Sequence, residues 1–407
     1  MLDVRSWGCG THLLVVGALV LVGLGIAVGR NWEAVTLMAD NVGAMGEGAA
    51  QAEQLRYPRD LVDYLAAHPD RASLVAYDVG APEAGVWYRA DRERPVVRLA
   101  QIRLLATYAE QRAAGRLDTT RRLPLDSVAV YAMPGAAKQS FAQTRRRWAE
   151  RGALRPDSTV ALPGVARAAF RHHDPAAVDA LLAVLGRTAV AEPATELPEG
   201  ATAVPRPRSG LQLSWMHPSA DTTTAPVVRA YQMFTRLRAD SAFRRRQYER
   251  LSTRGSGLTL RQQRARGAQS LPRGTAGGYA RLFGRIATGT AAPPEQADRM
   301  QALLERPVSA DTLGLSVRSV ASLGGALPGT ISLAGYARRP DGRPPRVVVL
   351  LLEDLPMGVF YHLLQTGLDK GVQLRLFSDD AFLADVRRRL SERERTAHAG
   401  QRAARAD

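Results

Sequence analysis

Strand-forming sequence is confined to the two ends of this chain, and that distribution limits the fold more than any other feature. β-Branched and aromatic residues run together at 73–79 (SLVAYDV) and 85–89 (GVWYR), on either side of Gly80-Ala81-Pro82, and read as a hairpin. They return at 315–321, 330–337 and 346–352. From about 140 to 306 the apolar period is helical, broken by a Pro/Gly/Thr-rich loop at 186–211. A lone hairpin is marginal in water, because strands need partners for their backbone polar groups. The two strand groups therefore pair into one antiparallel sheet, and the middle forms a separate all-helical lobe. Further helices are expected at 58–67 (PRDLVDYLAA, opened by Pro58), at 98–114 ending on Gly115, at 356–368, and from about 379 through Arg387, Arg388 and Arg389. The charged, Ala-rich tail from Ser391 is expected to fray.

Composition adds bounds. Of 407 residues, 45% are apolar and 23% charged, an ordinary globular balance that argues against global disorder. The net charge of +16 is carried by arginine, since Lys138 and Lys370 are the only lysines. That bias reads either as compositional drift or as attraction to an anionic surface. Aromatic residues are 6% and do not interleave with the arginine runs 145–147 and 244–246. Those runs read as solvated helix faces, and nucleic acid is not favoured as a partner. Cys9 is the single cysteine, so no intrachain disulfide forms and the compartment stays undecided on that ground.

Residues 13–28, LLVVGALVLVGLGIAV, carry no polar side chain, and no Asp, Glu, Lys or Arg occurs from Ser6 to Gly29. The stretch suffices for a membrane-spanning helix, on the short side. The first reading is an uncleaved anchor over 13–29 following a short tail, 1–12. A signal peptide cleaved near Ala27-Val28-Gly29 and an internal helix are the rivals. Residues 30–57, rich in Ala, Glu and Gln, read as a stalk or linker. Flanking basic charge is nearly balanced, and the orientation read is N-terminus inside, with the bulk of the chain extracytoplasmic.

Three segments carry a family resemblance. Residues 88–118, YRADRERPVVRLAQIRLLATYAEQRAAGRLD, are similar to the stretch of class A β-lactamase-like serine hydrolases that bears the nucleophile. Residues 271–306, LPRGTAGGYARLFGRIATGTAAPPEQADRMQALLER, resemble the helix pair that follows the helical lobe in that family. Residues 322–354, SLGGALPGTISLAGYARRPDGRPPRVVVLLLED, resemble its K-T-G strand, turn and final strand. The resemblance spans about residues 58–368. It implies a mixed α/β domain over 58–376, with the sheet part at about 58–97 and 307–376 and the helical lobe at about 98–306. An Arg-rich helix and tail, 377–407, would follow.

The resemblance also implies a chemistry. A serine attacks the carbonyl, a lysine at i+3 on the same face handles its proton, a second Ser and an Asn hold substrate, and a strand lysine adds charge. Each matching position departs from this pattern. The S-x-x-K place is Arg98-Leu99-Ala100-Gln101, the S-D-N place is His173-Asp174-Pro175, and the K-T-G place is Leu323-Gly324-Gly325. Glu196-Leu197-Pro198 faintly resembles the E-L-N triplet of the deacylating Glu, but stands close behind Asp174. A check free of alignment agrees. Gly135 and Gly367 stand three residues before the two lysines, so no S-x-x-K exists, and no Asn follows Asn41.

Other chemistry is thin. His172-His173-Asp174 is a cluster, but adjacent histidines on a helix point about 100° apart, so no metal is assigned. His217 stands close to Ser214 and Ser219, yet no G-x-S-x-G elbow is present. No cofactor is expected. The reading is a membrane-anchored, extracytoplasmic, non-catalytic relative that takes a peptide, cell-wall or protein ligand in a cleft lined by Arg98, Gln101, His173, Asp174, Gly324 and Gly325. The alternatives are a divergent serine hydrolase acting on β-lactams or wall peptides, and a basic protein that binds anionic polymer.

Overall fold

The computed structural model of the chain describes residues 40–192, 196–217, 224–308, 317–340 and 342–403, with side chains placed through residue 392. The apolar run 13–28 lies outside the described residues. Among those described, no helix is long and apolar enough to cross a membrane.

The strands are β1 (Ala72–Asp78), β2 (Ala81–Tyr88), β3 (Glu93–Pro95), β4 (Arg122–Pro124), β5 (Thr159–Ala161), β6 (Arg273–Thr275), β7 (Glu305–Pro307), β8 (Ser319–Leu327), β9 (Thr330–Arg338) and β10 (Arg346–Leu352). Six of them form one sheet in the order β2-β1-β10-β9-β8-β7, with every neighbour antiparallel. The two ends of the chain meet where β1 pairs with β10, Ala72 opposite Leu352 and Asp78 opposite Arg346. This is the single sheet expected from the terminal strand groups.

The apolar sequence of β10, RVVVLLL, is buried along its whole length because both sheet faces are covered. Its side chains alternate between two cores. Val347, Val349 and Leu351 join the cluster shared with the helical lobe. Val348, Leu350 and Leu352 join a second cluster with helices Pro58–Ala67, Met357–Thr366 and Leu368–Ser378. That alternation is the period-2 consequence of the strand pleat. Helix Ala276–Thr288 lies across β1, β9 and β10 on the lobe side.

Several boundaries differ from the sequence reading, each for a local reason. β8 runs to Leu327, so Gly324 and Gly325 lie inside the strand. The helix expected over 356–368 is Met357–Thr366, and it is followed by a second, unexpected helix, Leu368–Ser378, beyond Gly367, whose φ of 65° lies in the left-handed region that glycine enters freely. The last helix continues from Asp380 to Ala403, where fraying was expected. Residues 40–57 do not stand free of the domain. Asn41 Oδ1 accepts the Leu260 N–H at 2.8 Å. Glu47 accepts from Arg261 at 2.6 Å and from Arg264 at 3.1 Å.

Candidate functional site

The site begins with a strand held by backbone pairing. β3 pairs with β6, and the chain stays extended beyond it because Val96 N donates to Pro272 O at 2.8 Å and Val97 N to Ser332 Oγ at 3.0 Å. Residues 98–100 then redirect the chain through i→i+3 bonds, Gln101 N to Arg98 O at 2.9 Å being the first. The regular helix therefore spans Gln101–Ala113, three residues shorter at its start than the sequence suggested. Arg98 stands on the turn that feeds the helix.

The Arg98 stem lies against β8 where a glycine leaves room. A Cβ added at Gly325 would sit 2.5 Å from Arg98 Cγ and 2.8 Å from Cδ, closer than real contacts allow. Gly325 thus admits the Arg98 side chain. Gly324 does not face this cleft: its missing Cβ is directed at Leu333 Cδ2, 2.4 Å away, in the second core. Leu323, which the sequence reading set against the family's strand lysine, is fully buried in the first core.

Arg98 and Gln101 meet as the i, i+3 spacing requires, Nε to Oε1 at 3.4 Å, a long and weak bond. The Arg98 Nη2 atom is buried and has no acceptor. Burial and then repulsion from Arg208 push the Arg98 pKa down to about 9, against the attraction of Asp174. A guanidinium is ordinarily protonated far above neutrality, so Arg98 keeps its charge.

His173-Asp174-Pro175 turns out to be a helix start. Asp174 caps helix Pro175–Leu185, its Oδ1 accepting from Ala177 N at 2.8 Å, and Pro175 takes the first helical position. The Asp174 Oδ2 accepts from Thr144 Oγ1 at 2.8 Å. Burial raises its pKa, and these hydrogen bonds oppose the rise. The carboxylate is turned into the cap, so it does not line the cleft as expected. His173 precedes it at φ 56°, an uncommon conformation for a non-glycine residue. Arg306 of β7 donates to His173 Nε2, which leaves the ring proton on Nδ1. That Nδ1 is buried without a partner. Burial first, then Arg98 and Arg306, push the His173 pKa down to about 2, so the ring is neutral at physiological pH.

The cavity beside Arg98 has a volume of about 100 Å³. Its polar lining includes Gln101 together with Arg206 and Arg208, two residues that the sequence reading left inside a loop. Leu211, Trp215, Leu258, Leu271 and Leu327 supply the apolar wall. Helix Arg208–Met216 is fixed at its start by buried Asp179, which accepts from Arg208 N at 2.9 Å, Ser209 N at 2.8 Å and Ser209 Oγ at 2.6 Å. Burial pushes the Asp179 pKa up to about 6, against those bonds. Asp179 was visible in the sequence as one acid within an otherwise apolar helix, PAAVDALLAVL, and its role was missed.

His217 pairs with neither serine suggested for it, as far as the described residues extend. Its Nε2 meets Gln247 Oε1 at 2.6 Å, while Ser214 Oγ donates to Leu211 O at 2.7 Å. Ser219 lies outside the described residues. Among those described, no three His, Cys, Asp or Glu converge as metal ligands.

Comparison with known proteins agrees with this architecture. A family model described as "Beta-lactamase enzyme family" matches residues 57–355. The chain is similar to the solved structure of a beta-lactamase from Sphaerobacter thermophilus DSM 20745, with 17% identity and a TM-score of 0.45, over 77% of this chain and 95% of that one. It is similar to a beta-lactamase from Chitinophaga pinensis DSM 2588, with 12% identity and a TM-score of 0.45, over 77% and 99%. It is also similar to a class A beta-lactamase from Mycobacterium abscessus, with 14% identity and a TM-score of 0.43, over 77% and 98%. No curated protein sequence matches it.

Proposed function

The chain belongs to the beta-lactamase enzyme family, and from that premise we propose that it is a non-catalytic member which binds a ligand in the cleft its relatives use for chemistry. One observation carries the reading. Arg98, which the family resemblance sets at the nucleophile position, has its stem seated over Gly325 and its guanidinium beside Gln101. A guanidinium offers no lone pair for attack and no acceptor for a proton.

A hydrolase built from other residues would need a nucleophile with a base in reach. Ser256 lines the cavity, and its Oγ accepts the Leu258 N–H at 3.3 Å. No His, Lys, Asp or Glu lines the cavity with it among the described residues. The divergent-hydrolase reading therefore has no base to name.

The test is intact-protein mass spectrometry after exposure to a penicillin, with an active relative alongside. The relative should gain the mass of one ring-opened drug, and this chain none. A stable adduct on any serine between 58 and 368 would overturn the reading.

We also propose that residues 13–28 hold the domain at a membrane, with the domain on the extracytoplasmic side. The motive is the uncharged apolar run of the sequence. Burying about sixteen apolar residues holds a chain more firmly than salt-sensitive attraction of a basic surface. High salt and alkaline carbonate should leave the full chain in the membrane fraction, and detergent should release it. External protease on spheroplasts should digest the domain. Release by salt alone, or protection from the protease, would reject the anchor or the orientation respectively.

A further inference from the structure

We propose that the cavity beside Arg98 binds a small organic carboxylate, with its head group on Arg98 and Arg206 and a short apolar substituent against Leu211 and Trp215. The inference rests on the non-catalytic reading above and adds the chemistry of the ligand.

The argument starts from unmet hydrogen bonds. Arg98 Nη2 is buried without an acceptor, and so are Arg206 Nε and Nη1. Both side chains line the cavity, with Arg208 as a third cation. Buried guanidinium groups normally find carboxylates, because an uncompensated charge away from water is expensive. Elsewhere in this chain they do: Arg94 pairs with Glu353, and Arg346 with Asp78. At the cavity the nearby acids are committed. Asp174 is the cap of its own helix. Asp179 holds the start of the next one. No Asp or Glu is among the residues lining the cavity. Three arginines line one space with no carboxylate to match among the described residues, so an anion from outside completes the set.

The shape selects the kind of anion. A planar carboxylate accepts charge-assisted N–H bonds from guanidinium groups, and Arg98 Nη2 with Arg206 Nε and Nη1 are the donors left without an acceptor. Leucine and tryptophan supply most of the rest of the wall, with Gln212, Ser256 and Gln263 among them, and this apolar surface suits an anion that carries an apolar substituent better than a fully hydrated tetrahedral one. A cavity of about 100 Å³ has room for a carboxylate and a few carbons, and not for a folded peptide segment.

The experiment is calorimetric titration of the full chain in detergent with butyrate, butyramide and inorganic phosphate. Butyrate should bind in the millimolar range or tighter. Butyramide, of the same shape without charge, and phosphate should be at least about tenfold weaker. Arg206→Met should weaken butyrate by about tenfold or more and leave the fold intact, since its buried Nε and Nη1 bond nothing in the empty protein. Arg98→Met should abolish binding and raise the melting temperature of the ligand-free protein, because it removes a half-buried charge whose Nη2 has no partner. An arginine serving only to support the fold would lower it. Arg245→Met, on an exposed face, should change neither. Equal binding of butyrate and butyramide, preference for phosphate, or no binding of butyrate would overturn the proposal. Acylation by penicillin would instead reject the non-catalytic reading and leave the butyrate result standing, so the two fail separately.

Discussion

Replacing Glu353 with glutamine is expected to remove about 3–5 kcal/mol of folding stability, a large share of the 5–15 kcal/mol that ordinary domains have. The reason is Arg94, which is fully buried on β3. Its five N–H donors all find acceptors. Nε donates to Ser73 Oγ at 2.7 Å. Nη1 donates to Asp70 O at 2.6 Å and to Glu353 Oε1 at 2.7 Å. Nη2 donates to Pro69 O at 3.0 Å and to Ala72 O at 2.6 Å. Burial still pushes its pKa down to about 10, with Glu353 the strongest opposing influence. Without the carboxylate, a buried cation loses its counter-charge and cannot move to water. The contact ties the first strand group to the end of β10, and it fixes the strand that delivers Arg98 to the cleft. Urea denaturation of wild type and Glu353→Gln measures the loss. Arg273, whose side chain is 40% exposed and also touches Glu353 at 3.2 Å, supplies the control. Arg273→Ala should cost less than about 1 kcal/mol. The double variant Arg94→Met with Glu353→Leu should recover much of the loss, because neutral side chains leave no buried charge. A loss under about 1 kcal/mol in Glu353→Gln would show that water reaches Arg94.

That buried pair also shows which parts of the molecule the sequence could reveal. Strands β1, β2, β9 and β10 are long, apolar and rich in Val, Leu and Tyr, so their period is readable, and helix Pro58–Ala67 is marked by its proline. Strands β3 to β7 have three residues each, too short to show any period. Their existence depends on partners up to 182 positions away, as with Glu93 opposite Thr275. The cleft was legible in part. Arg98 and Gln101 were found because a family pattern aligns with them, and Gly325 because glycine survives there. Gly324 does not join Gly325 in the cleft, because neighbouring residues of a strand face opposite sides of the sheet. Asp174-Pro175 ahead of an apolar run is a helix-start signal, and it was weighed instead as a remnant of chemistry. Arg206 and Arg208 alternate with prolines in a segment without period, and nothing local says that they turn toward Arg98. Only the fold brings them together.

The same placements determine what restoring the catalytic pair would achieve. Arg98→Ser with Gln101→Lys is expected to give no hydrolysis of a chromogenic cephalosporin above the buffer rate, at least about three orders of magnitude below an active relative. Geometry between the two restored groups is not the obstacle, because the side chains at 98 and 101 already reach one another. The obstacle is everything around them. Where the resemblance sets the family's second serine, His173 accepts a bond from Arg306. Where it places an asparagine, Pro175 begins a helix. Asp174 is engaged by Ala177 N and Thr144 Oγ1. Leu323, set against the strand lysine by the same resemblance, is fully buried. Catalytic groups act as a unit, so two of them without the rest recover little. The restored lysine would also lie beside Arg206 and Arg208 in the cavity, where like charge and burial lower its pKa. A neutral lysine can take the serine proton, so slow acylation without turnover is the one partial gain to expect. Mass spectrometry would show that as a penicillin adduct on the double variant and none on the single Arg98→Ser. Turnover within about tenfold of an active relative would mean that Ser256 or another group replaces the missing machinery, and that the cleft is a resting catalytic site after all.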